Sequence, residues 1–121
     1  MNKQRRQEIR KTIPWIREAV KLAQDGELSN ARNNAEMAKD KLADIKMDEE
    51  MAFEAIEKFS GTERYAEMER AIDSLDNACD SLEDAYYGLE QMLDDDADAP
   101  DLSEIISYLE TAEEAAEDSA S

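Results

Sequence analysis

The side chains in this sequence that could do chemistry are carboxylates. Asp73, Asp76, Asp80, Glu83, Glu90 and Asp94 each follow by one residue an apolar position of a seven-residue repeat; Tyr87 interrupts the row and Asp84 lies beside it. A row of acids on one helix could relay protons, ligate a hard cation, or pair with Lys and Arg of a partner. Proton relay is poorly served. The chain has no His, a single Cys and no glycine-rich phosphate loop, so no nucleophile and base can be assembled in the usual way and no enzyme activity is expected. A carboxylate diiron site is excluded because its Glu-x-x-His pairs cannot be made.

The cation test falls on Asp94, Asp96 and Asp98, which match the first, third and fifth positions of a calcium loop. It fails at Ala99, where the turn glycine should stand, and at Ile105, where the bidentate Glu should stand. No metal and no cofactor is expected. Pairing with a basic partner remains, and the expected contact residues are Asp73, Asp76, Asp80, Glu83, Asp84, Tyr87, Glu90 and Asp94.

The repeat that carries the row runs "AIDSLDN", "ACDSLED", "AYYGLEQ", "MLDD" from Ala71 to Asp95. Ile72, Cys79, Tyr86 and Leu93 form one apolar column and Leu75, Leu82 and Leu89 the other, a 3.5-residue period that marks a packed helix. Ala71, Ala78 and Ala85 flank them, so this helix should meet more than one neighbour. Elsewhere Ile9, Ile13, Ile16, Val20 and Ala23 give a first amphipathic helix with Pro14 as a kink and Trp15 as an edge anchor. Leu28 to Phe59 keep heptad phase through Ala31, Ala35, Ala38, Leu42, Ile45, Ala52 and Ile56, with Glu49 as a polar intruder. Gly26, Gly61 and the segment from Ala97 to Pro100 are the breaks. Ser60 with Glu63, and Asp101 with Glu104, have capping-box spacing, and the tail "EDSAS" should fray.

These elements predict an all-α protein: one domain of 121 residues, an antiparallel helical bundle with a long central coiled-coil-like hairpin. Helices are expected over residues 4–24, 27–59, 62–95 and 101–116, with a four-helix base and a projecting two-helix stalk. A homodimer joined along the stalk is the rival arrangement. The core should contain Ile16, Val20, Leu42, Ile45, Ile56, Phe59, Met68, Ile72, Leu75, Cys79, Leu82, Leu89, Leu93, Ile105 and Leu109. Cys79 reads as a buried hydrophobe rather than a reactive thiol.

Charge then limits the function. The net charge is −18, yet residues 1–24 hold seven Lys or Arg against two acids, and from Ala71 to Ser121 there are seventeen acids and no base. Direct binding to nucleic acid or to an anionic membrane is disfavoured, since phosphate contacts need Lys and Arg. No stretch reaches the roughly 20 apolar residues of a membrane span and the basic start lacks the apolar core of a signal peptide, so a cytoplasmic location is expected. A stiff acidic rod has a charge density near that of DNA and could occupy a basic groove built for nucleic acid. The alternative is an acidic helical adaptor or assembly protein that binds through apolar coiled-coil surface, with Trp15, Tyr86 and Tyr87 as contacts.

"MNKQRRQEIRK" and Leu42 to Ala85, "LADIKMDEEMAFEAIEKFSGTERYAEMERAIDSLDNACDSLEDA", resemble a group of short acidic helical proteins encoded by phages and mobile elements of gut bacteria. The specific part is the acidic run into "AF", the turn with "GTER" and the heptads that follow; the hairpin from Pro14 to about Ala38 departs from that pattern. Small acidic phage proteins include inhibitors of host defence, anti-CRISPR proteins that mimic DNA among them. The resemblance implies a phage setting more than an activity; taken with the one-sided charge it leads to the expectation of a basic nucleic-acid-binding partner such as a CRISPR-associated nuclease, in the cytoplasm of a host cell. It carries over no functional residues.

Overall fold

The computed structural model describes residues 1–56 and 61–121. Four helices follow one another, α1 (Lys3–Gln24), α2 (Leu28–Ala55), α3 (Glu63–Leu93) and α4 (Leu102–Ala120). Each packs antiparallel on its sequence neighbour and α4 closes back on α1, so the molecule is an all-α up-and-down bundle. Among the described residues no helix is long and apolar enough to cross a membrane.

Local chemistry sets the ends. Asn2, Thr62 and Asp101 cap α1, α3 and α4 by accepting from the backbone N–H of Arg5, Tyr65 and Glu104 at 2.8, 3.2 and 2.8 Å. The Ser60 cap expected for α3 lies outside the described residues, and Thr62 holds the capping position. α1 ends on Gly26 at φ +79, where the Gly26 and Glu27 amides return to the carbonyls of Ala23 and Leu22. α3 ends with the same pattern of bonds, but the left-handed position is Asp95 at φ +54, with amides of Asp95 and Asp96 on Met92 and Gln91.

The expected spans shift at several ends. α2 starts at Leu28, α3 runs from Glu63 to Leu93 rather than 62–95, and α4 extends from Leu102 past residue 116 to Ala120. The tail does not fray because Ser119 and Ala120 are buried against the bundle and the Arg10 guanidinium donates to the Ala120 carbonyl at 2.8 Å. The stalk is also shorter than the hairpin suggests. Arg5 reaches Glu49 at 3.1 Å, so α1 covers α2 almost to its end and only about two turns of each hairpin helix project.

The core corrects the phase of the central repeat. Ala71, Ala78 and Ala85 are buried with Leu75, Leu82 and Leu89, while Ile72, Cys79 and Tyr86 are half-buried and Leu93 is exposed. Val20 and Ile56 are also only half-buried, and Phe59 lies outside the described residues. The cause is that α3 touches both α2 and α4: its inward direction falls between two neighbours, which rotates the alanine column to the centre. Ala31, Ala35 and Ala38 of α2 do the same, and such small side chains let helix axes approach closely. Pro14 lies inside α1 on the exposed side, away from the core, and Trp15 packs half-buried against the core edge.

Gly88 is buried where α3 meets the start of α4. A Cβ added there would stand 2.9 Å from Pro100 Cγ and 3.0 Å from Ile105 Cγ1. Overpacking costs about 1–3 kcal/mol and the gain in helix propensity returns about 1. Gly88→Ala should therefore lower stability by about 1 kcal/mol net. Urea denaturation checks it: an unchanged or raised midpoint would show that Pro100 and Ile105 move aside freely.

Candidate nucleic-acid-mimicking interface

All eight expected contact residues lie on the surface of α3 or at its C-cap; Glu90 is half-buried and the others are exposed. They form two columns with different surroundings. Asp76, Glu83 and Glu90, seven residues apart, lie on the edge toward α2, whose Arg32, Lys39 and Lys46 repeat at the same interval. Lys46 Nζ is 2.6 Å from Asp76, Arg32 is 4.0 Å from Glu90, and Lys39 sits between them over the Tyr86 ring, 4.8 Å from its centroid. This basic column keeps α2 and α3 in register. The hydrogen bond to Asp76 raises the Lys46 pKa, and hydrogen bonding to Glu90 and then Glu36 pushes the Tyr86 phenol up to about 12.

Asp73, Asp80, Tyr87 and Asp94 form the outer column, and Asp84 lies near Tyr108 of α4, whose phenol pKa is raised by its hydrogen bond to Glu104, by burial and by Asp84. Among the described residues none of these acids meets a base. Beyond Asp80 lies a shallow groove lined by Asn77 and Ser81 of α3 and by Thr111, Glu114 and Asp118 of α4. Glu114 and Asp118 thus extend the acidic face onto α4. The charge count after Arg70 was the sequence signal for them; their adjacency to α3 required the bundle.

The far edge of α4 is neutralised. Arg17 of α1 binds Glu113 and, at 3.0 Å, Glu117, and the hydrogen bond to Glu113 raises its pKa. The basic first helix is used mostly within the molecule. Arg5 pairs with Glu49, Arg10 caps α4, and Glu8 takes both Lys11 and Lys41 at 3.0 Å. Those two ammonium groups hold the Glu8 carboxyl below its ordinary value. Glu49, the polar intruder of α2, is fully buried at a core position, with Arg5 as its hydrogen-bond donor.

Burial pushes the Cys79 thiol up to about 11, so little thiolate exists at neutral pH and the side chain acts as a spacer beside Lys46. Among the described residues no group of His, Cys, Asp or Glu is arranged to hold a metal ion. Asp96 instead turns its carboxylate onto the Asp98 amide at 2.9 Å, a local turn bond. No family model, curated protein or solved structure matches the chain.

Proposed function

We propose that this protein is a non-catalytic inhibitor that occupies the basic nucleic-acid-binding surface of a host defence nuclease, CRISPR-associated or similar, as a mimic of DNA. The observation that carries the reading is the uneven use of bases. Lys and Arg of α1 and α2 neutralise two edges of the bundle; on the α3–α4 face Arg6 and Arg70 stand at one end, and among the described residues no base lies on α3 or α4 beyond Arg70. Seventeen acids lie between Ala71 and Ser121; among the described residues Asp76, Glu90, Glu113 and Glu117 meet a base, which leaves thirteen. Over a bundle face roughly 40 Å long, they give about one charge per 3 Å, close to the 3.4 Å of a single DNA strand. Such a face favours the Lys- and Arg-lined channels that phosphates enter.

Competition measures this directly. A defence nuclease is loaded with labelled DNA and titrated with the protein at rising ionic strength. Displacement should be strong at low salt and fall steeply toward physiological salt, because exposed ionic contacts are screened beyond about 8 Å there. Displacement indifferent to salt would favour the second reading, an adaptor that binds through apolar surface. That reading draws on Met37, Met47 and Met51, which stand 51, 62 and 65% exposed along α2.

A further inference from the structure

A second surface feature lies outside the α3–α4 face, where the projecting ends of α2 and α3 enclose a groove. Its floor is apolar: Phe53 and Tyr65 stack with ring centroids 4.5 Å apart and planes tilted by 34°, and Ile72 continues the floor. Its walls carry Glu54, Glu69 and Asp73, all exposed, and among the described residues no basic one lines it. A fourth acid, Glu50, is shared with Lys46 at 3.7 Å.

We propose that this groove takes an arginine side chain from the surface of the basic partner protein. A guanidinium is planar and weakly hydrated, so one face can lie on an aromatic ring while its edge donates to carboxylates. The three acids on the walls supply acceptors and the two rings supply the platform. A lysine ammonium is compact and strongly hydrated; it gains the charge but loses the stacking. The groove therefore adds a preference for arginine that a row of surface carboxylates lacks. It rests on the proposed function only in requiring a basic partner, and Asp73 alone belongs to both surfaces.

The test uses the full chain labelled with nitrogen-15 and two short peptides, identical except that three arginines in one are lysines in the other. The arginine peptide should bind about fivefold more tightly, the worth of about 1 kcal/mol of cation–π contact. Its amide shifts should centre on Phe53, Tyr65 and Ile72. Tyr65→Leu removes the ring yet keeps an apolar side chain outside the closed part of the bundle, so shifts elsewhere should stay in place while the preference for arginine disappears. Equal affinity of the two peptides, or shifts spread over α3 and α4, overturns the groove. Loss of DNA competition with the arginine preference intact would instead overturn the mimicry and leave the groove standing. Should Tyr65→Leu disturb the whole spectrum, the parent protein's shift map and peptide preference still decide the matter.

Discussion

Leu82→Asp should abolish the cooperative unfolding transition and most of the helical circular dichroism signal. Leu82 is fully buried between Ala78 and Ala85, at the middle of α3. An aspartate there would need a base, and neither α3 after Arg70 nor α4 contains one. Its burial cost, of several kcal/mol, is comparable to the whole stability of a domain this size, about 5–15 kcal/mol. The neighbouring acids make the mismatch worse. Leu82→Ala is the control, because it leaves a cavity without a charge and should cost about 2–5 kcal/mol while the bundle still folds. A cooperative transition in the aspartate variant within about 1 kcal/mol of the parent would mean that the site is wet, and the assigned core phase would be wrong.

The second large effect separates the two acidic columns. Changing Asp73, Asp80, Asp84 and Asp94 together to Asn keeps size, helix and core while removing four carboxylates that meet no base. At roughly 0.5–1 kcal/mol for each exposed contact, affinity for the basic partner should fall about 30- to 1,000-fold. Stability should hold or rise, since like charges on adjacent turns repel. The matched variant, Asp76→Asn with Glu83→Gln and Glu90→Gln, removes the acids on the edge toward α2, where Lys46 meets Asp76 and Arg32 meets Glu90. Of these, Asp76 and Glu90 are paired and, among the described residues, Glu83 meets no base, so the variant should shift the thermal midpoint downward and cost partner binding no more than the single unpaired contact at Glu83. Equal binding losses in the two variants would show that the columns are not distinguished by their pairing, and an unaffected first variant would sink the mimicry.

That separation was not legible in the sequence, and the reason is geometrical. The heptads of α3, the Gly26 turn and the Asp101 cap are local signals, and they are enough to set out four antiparallel helices. The row of acids is visible for the same reason, as it repeats with the helix. Which acids are already paired depends on how α2 slides against α3, a long-range quantity that a seven-residue period leaves ambiguous by whole heptads. Lys46 with Asp76 and Arg32 with Glu90 select one register. The misplaced core column has a related cause. Ile72, Cys79 and Tyr86 are the larger apolar side chains, and hydrophobicity alone ranks them above Ala71, Ala78 and Ala85. A helix clasped by two close neighbours favours the small residue at the centre, and the larger ones pack along its rim. The Phe53–Tyr65 pair joins residues from opposite arms of the hairpin, and no single-helix pattern reveals it.

The contact between α1 and α4 also orders events in time. Three of the four interhelical seams join elements adjacent in the chain, and the seam formed by Arg17 with Glu113 and Glu117, and by Arg10 with the Ala120 carbonyl, joins the first helix to the last. While the chain is being synthesised, α1, α2 and α3 can associate as each emerges, and local topology of this kind folds quickly. Until α4 is made, however, Arg10 and Arg17 stand uncovered on a three-helix intermediate that still shows one apolar flank. The acidic α4 is then drawn to that basic edge by long-range attraction, and it closes the ring as the last step. A chain shortened within α4 would therefore leave a basic, sticky surface on an otherwise acidic protein.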